Sequence, residues 1–109
     1  MERGEIGWYK FQPPDKRRPV LILTRTSIIP YINEVMVAPI TSTIRGIPSE
    51  ITLVIEDGMP HDCAVNFDHL QTVPKLKVGR LITSLSVGKM AQAATALCFA
   101  LGMDDLFTK

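Results

Sequence analysis

Two short stretches carry side chains suited to holding a phosphate. Lys16-Arg17-Arg18-Pro19 sets three cations immediately before an apolar run, Pro19–Thr24. An arginine held by a proline at the mouth of a rigid strand is positioned, and its planar fork matches phosphate oxygens. Thr41-Ser42 closes another apolar run and places hydroxyls at a strand exit, where their ordinary use is to bond the turning chain. His61 and His69 are the two imidazoles, a residue type able to act as acid and base. His61 follows the Met59-Pro60 turn and reads as a surface residue. His69 follows Asp68 in a tight connection and reads as hydrogen-bonded to the chain. Neither is taken as catalytic.

Other chemistries lack their residues. No GxxxxGK[ST] loop, GxGxxG turn, HExxH or G-x-S-x-G is present. Glu50, Glu56, Asp57, Asp62 and Asp68 lack the spacing of a metal loop. Cys63 and Cys98 form no Cys-x-x-Cys pair, so neither zinc nor a disulfide framework is expected, and both read as small buried hydrophobes. No metal and no cofactor are expected.

The charge is uneven along the chain. Twelve Lys+Arg against eleven Asp+Glu give a net +1 over 109 residues. Residues 1–25 hold a local +3, with Arg3, Lys10, Lys16, Arg17, Arg18 and Arg25 against Glu2, Glu5 and Asp15. Residues 50–70 hold five acids and no Lys or Arg. Residues 71–109 return to +3 through Lys75, Lys77, Arg80, Lys89 and Lys109 against Asp104 and Asp105. Such segments are ordinarily solvated loops; they become a groove for phosphates only where the fold brings the two basic parts together. With a balance this close to neutral, affinity for a polyanion rests on a few local contacts.

The elements that must position these residues are mostly short strands. Alternation and turn residues predict strands over Glu5–Phe11, Pro19–Thr24, Glu34–Thr41, Glu50–Ile55, Cys63–Phe67, Leu70–Val73 and Arg80–Leu85. A helix follows, capped by Ser86 and ended by Gly102, with Val87, Met90, Ala94, Leu97 and Leu101 as its inward stripe. Ala93, Ala96, Phe99 and Ala100 make the opposite face apolar too, which calls for cover on both sides and so for a second copy of the chain. One domain over 1–109, mainly β, is the expectation; a chain of this size buries roughly 65% of its unfolded surface. No signal stretch precedes Glu2-Arg3 and the helix is too short to span a bilayer, so a soluble, cytoplasmic protein without a membrane partner is expected.

Several segments resemble one family in order and spacing. Arg3-Gly4-Glu5-Ile6-x-Trp8, Arg18-Pro19-Val20-Leu21-Ile22 and Val37-Ala38-Pro39-Ile40-Thr41-Ser42 are followed by Arg45-Gly46-Ile47-Pro48-Ser49-Glu50. Asp57-Gly58-Met59-Pro60-x-Asp62, Val65-Asn66-x-Asp68-x-Leu70-Gln71-Thr72-Val73 and Ala100-Leu101-Gly102 complete the pattern. Together they resemble the MazF/PemK (Kid) toxins of bacterial toxin–antitoxin modules over essentially the whole chain.

The resemblance implies a small SH3-like barrel of the CcdB/MazF/Kid type with a C-terminal α-helix, acting as a homodimer. It implies a metal-independent, sequence-specific endoribonuclease that cuts single-stranded RNA, most readily mRNA, leaving 2′,3′-cyclic phosphate and 5′-hydroxyl ends. A MazE-like antitoxin with a disordered acidic tail would silence it. The family's catalytic arginine falls on Arg18 and its threonine on Thr41; an acid proposed in some members falls on Asp68, with Ser42 beside Thr41. The arginine accompanying that acid is replaced here by Asn66, and the segment before Arg18 is only Gln12-Pro13-Pro14-Asp15-Lys16-Arg17, shorter than in many members.

Chemically, Arg18 supplies charge-assisted donors and the proton for the leaving oxygen, Thr41 fixes the phosphate, and the base stays open. Lys16, Arg17, Arg45, Lys75, Lys77 and Arg80 would track the RNA, with Asn66 and Gln71 reading base edges. The alternative is a non-enzymatic, gyrase-binding toxin of the CcdB type. Against it, the tail Leu106-Phe107-Thr108-Lys109 lacks the Trp-x-x-Ile-like ending of those chains.

Overall fold

A computed structural model describes residues 1–14 and 16–107. Asp15, in the short segment before Arg18, and the tail residues Thr108 and Lys109 lie outside the described residues. Seven strands form the body: β1 (Glu5–Lys10), β2 (Arg17–Ile22), β3 (Glu34–Thr41), β4 (Glu50–Leu53), β5 (Cys63–Asn66), β6 (Gln71–Pro74) and β7 (Leu81–Ser84). One helix, α1 (Val87–Ala100), follows. All pairings are antiparallel, in the order β4-β5-β3-β2-β1-β7, with β6 also on β3. The long strand β3 is the organiser. Along one edge it pairs with β2; along the other, its first half pairs with β6 and its last residues with β5. Splitting one edge between two partners curls the sheet into a partly closed barrel, as expected for the SH3-like class.

The sheet's two faces bury separate clusters. On one, Ile6, Leu21, Ala38, Ile40, Leu53, Val65 and Phe67 pack with α1 through Ala93 and Ala96. On the other, Phe11, Val20, Ile22, Ile29, Val35, Val37 and Val73 form a smaller core. Fully burying each such aliphatic or aromatic side chain is worth roughly 1.5–3 kcal/mol.

Strand existence and order follow the sequence, and the boundaries move for physical reasons. β2 begins at Arg17 rather than Pro19, because Arg17 and Arg18 pair with Lys10 and Tyr9 of β1. It ends at Ile22, since the Thr24 hydroxyl leaves the ladder to accept from the Met36 amide at 2.7 Å. β4 stops at Leu53, where Asp57 Oδ2 accepts from the Val54 amide and starts a 3-10 turn, Ile55–Asp57.

The helix ends as expected, but its inward stripe is different. Ser86 Oγ accepts from the Lys89 amide at 3.1 Å, capping the start. At the other end, Gly102 at φ +69° lets the Gly102 and Met103 amides reach the carbonyls of Phe99 and Cys98. Ala93 and Ala96 are buried, with Met90, Leu97 and Ala100 beside them. Val87, Ala94 and Leu101, expected inward, are exposed, Val87 by 90%. Lys89 lies on the same side. Its ammonium reaches Thr52 O at 2.9 Å and Asp57 at 3.7 Å, tying the Lys89–Ala93–Ala96 side to β4. Of the cysteines, Cys63 is buried as expected and Cys98 only partly so.

Candidate active site

Side-chain alternation assembles the site. Opposed residues of an antiparallel pair share a face, and residues two apart on a strand share it again. Pro39 lies opposite Val20, and carrying that register two residues further sets Thr41 opposite Arg18. Gln71 lies opposite Val37, two residues before Pro39. Ala64 lies opposite Thr41, so Asn66, two further along β5, falls on the same side. Arg18, Thr41, Asn66 and Gln71, from four strands, thus reach one face, where the small core runs out toward solvent.

There Arg18, Thr41, Asn66, Gln71, Arg45 and His69 line an open cleft of about 200 Å³, over Phe11, Pro39 and Ile40. Among the described residues the cleft contains two guanidinium groups and no carboxylate. Thr41 Oγ1 accepts from the Thr43 amide at 3.1 Å, the strand-end bond expected of it, and its own O–H is left to donate. Asn66 Oδ1 accepts from the Asp68 amide at 2.9 Å, leaving Nδ2 as the donor it offers. Arg18 is half-buried within β2, not at the end of a loop, so its stem is braced by the sheet. Two guanidinium forks, a hydroxyl and two amides make a cleft of donors, fitted to an anionic ligand with acceptor edges.

A second cleft of about 230 Å³ opens at the same strand ends, lined by Trp8, Arg17, Ser42, Met59, His61 and Cys63 among others, with Arg18 and Thr41 on its wall. Arg17 and Arg18 are adjacent on a strand and therefore diverge. The Arg17 guanidinium sits 4.4 Å from the Trp8 ring centroid, a cation–π contact. Burial pushes the Cys63 thiol above its ordinary value, and the carboxylates of Asp62 and Asp57 add to the effect.

Other expected residues lie apart from the donor cleft. Asp68 is held by Ser49, whose Oγ donates to its Oδ2 at 2.5 Å, and it lines neither cleft. Lys75 donates to the Ile29 carbonyl at 2.8 Å. Lys16, Lys77 and Arg80 are exposed and outside both clefts. The two basic segments therefore do not merge into one groove at the cleft; its second cation is Arg45, from the segment between them. His69 and Phe11 belong to the cleft without having been expected there. His69 stands two residues before Gln71, a hint usable only once β6 is paired with β3. Among the described residues no three His, Cys, Asp or Glu are grouped as metal ligands, and no helix is long and apolar enough to cross a membrane.

A curled, mainly β half-barrel of antiparallel strands with a C-terminal helix defines the class of fold. The chain belongs to the PemK-like, MazF-like toxins of type II toxin–antitoxin systems, whose family pattern matches residues 2–101. It is 41% identical over 98 residues to a protein named probable endoribonuclease MazF2 of Mycobacterium tuberculosis, covering 89% of this chain and 94% of that one. It is 39% identical over 90 residues to endoribonuclease MazF3 of the same organism, covering 83% and 87%. Among solved structures, the Mycobacterium tuberculosis toxin MazF-mt6 superposes with a TM-score of 0.84 at 36% identity, over 92% of this chain and 98% of that one.

Proposed function

We propose that this chain is an endoribonuclease toxin that cuts single-stranded RNA by attack of the RNA's own 2′-hydroxyl, leaving 2′,3′-cyclic phosphate and 5′-hydroxyl ends. The observation that carries the reading is the cleft in which Arg18 and Thr41 face each other with Asn66, Gln71 and Arg45 around them. Arg18 holds the scissile phosphate and stabilises the charge that develops on it, a preorganised electrostatic contribution. Thr41 donates to the same phosphate and fixes its pose. Asn66 and Gln71 offer amides to base edges, and Arg45 meets a flanking phosphate. All of this is done by side chains, without a metal. The relatives' endoribonuclease names support this reading over the gyrase-binding alternative.

Two partners complete the proposal. The exposed apolar side of α1, with Val87 and Leu101, supports association with a second copy. Membership of a toxin–antitoxin family supports a cognate antitoxin, whose acidic, disordered tail would meet the same donor cleft. Incubating the purified protein with a long RNA in chelator, then mapping the ends chemically, tests the activity. Cuts at a short recurring word, with cyclic phosphate and 5′-hydroxyl ends, are expected. Intact RNA after prolonged incubation would remove the proposal.

A further inference from the structure

Transesterification through the 2′-hydroxyl requires a group that accepts the 2′ proton as the O2′–P bond forms. Among the described residues of the Arg18–Thr41 cleft, the Arg18 and Arg45 guanidinium groups carry donors and no acceptor, and Thr41, Asn66 and Gln71 are not bases. The rest of the lining is apolar, apart from one residue. Asp68 does not line the cleft, and its carboxylate is turned to Ser49. The remaining residue is His69, on the 3-10 turn Phe67–His69 that runs into β6. It is exposed, and no hydrogen bond among the described residues engages its ring. The hydrogen bond to the chain expected of it is not made.

We propose that His69 is the general base of the reaction, an inference that rests on the ribonuclease reading above. A ring nitrogen of His69 takes the 2′ proton while the O2′–P bond forms and the P–O5′ bond breaks. The leaving O5′ takes a proton from the Arg18 guanidinium, which yields the 5′-hydroxyl. Water then carries the proton from His69 back to Arg18, so both groups return to their starting states. Among the described residues, the charged groups that share the cleft with His69 are Arg18 from β2 and Arg45 from the β3–β4 connection, and Asp68 precedes it on its own turn. Glu50 of β4 is turned away, onto the amides of Arg45 and Gly46.

The test is the pH dependence of kcat/KM on an RNA oligonucleotide for the wild type, His69→Gln and His69→Ala, with thermal melts in parallel. Unchanged melts are expected, because the ring is exposed and unbonded. The wild-type rate should rise with pH, as a base that must be unprotonated to act requires. His69→Gln should be slower by about 100- to 1,000-fold and should lose that rise. Added imidazole should restore part of the His69→Ala rate. A His69→Gln variant that keeps the rise, or cuts within a few-fold of wild type, overturns the assignment. A wild type that cuts no RNA overturns the ribonuclease reading itself, and the base with it.

Discussion

Glu50 holds the backbone of Arg45: its Oε1 accepts from the Arg45 amide at 2.7 Å and from the Gly46 amide at 2.8 Å. Glu50 is only 8% exposed, and its Oε2 is buried with no hydrogen-bond partner among the described residues. The β3–β4 connection is thus fastened from inside, so that Arg45 projects into the cleft from a fixed base. Ser49, by gripping Asp68, ties the same connection to the turn that bears His69.

Glu50→Ala should therefore loosen substrate binding as well as the fold. Each amide left without an acceptor costs about 1–3 kcal/mol. A lower melting temperature and a raised KM, with a smaller effect on kcat, are expected. Glu50→Gln keeps one acceptor oxygen and should fall between. An alanine variant with an unaltered melt and KM would show that the connection holds itself.

Arg18→Ala and Thr41→Ala should each reduce RNA cleavage by about 100-fold or more, the scale measured for loss of one preorganised donor. Both side chains face open cleft, so circular dichroism melts should stay near wild type. Arg18→Lys keeps the charge and loses the fork, and should remain well below wild type. Full activity in the two alanine variants would end the assignment of this cleft as the catalytic one.

Strand positions and the helix caps were legible because each rests on local pattern: alternation, turn residues, Ser86 and Gly102. Arg18 and Thr41 were singled out by the family resemblance. The rotation of α1 was not legible. It follows from which side packs on the sheet, where Ala93 and Ala96 are buried and Lys89 reaches Thr52, a contact across 37 residues of chain. Grouping cations by sequence segment also misled. Arg17 and Arg18 go to different sides of one strand, Lys75 is spent on a carbonyl, and Arg45 arrives from an electrically neutral stretch. His69 was unreadable for the same reason, since its value comes from what the cleft around it lacks.

Gly58 should tolerate no side chain. It sits at φ +97°, and a Cβ there would run into the Thr83 side chain, whose hydroxyl donates to Asp57 O at 3.2 Å. Strain of this kind costs about 1–3 kcal/mol before any clash is counted. Gly58→Ala should lower the melting temperature by several degrees, measured by calorimetry, while Gly46→Ala, with open space around it, should cost less.

Cys63 should resist thiol reagents in the native protein at neutral pH and react on unfolding, because burial disfavours its thiolate. The linkage has a definite sign. The folded-state value is raised, so the thiol's contribution to stability is complete below the ordinary thiol range and is lost as pH climbs through the folded value. Alkaline melts of wild type should therefore fall more steeply than those of Cys63→Ala. Equal slopes, or rapid native alkylation of Cys63, would contradict the burial argument.

Arg18 and Thr41 stand on the middle strands, beside Val20, Leu21, Val37 and Ala38, which are fully buried. Arg45 and His69 stand on a connection and a turn, each held by a carboxylate or hydroxyl bond. Connections open at lower free energy than central strands do. On warming, the molecule would accordingly surrender its second cation and its proton acceptor while its grip on phosphate persists. If the proposed roles hold, a partly opened form that binds RNA without cutting it is expected between the working protein and the unfolded chain.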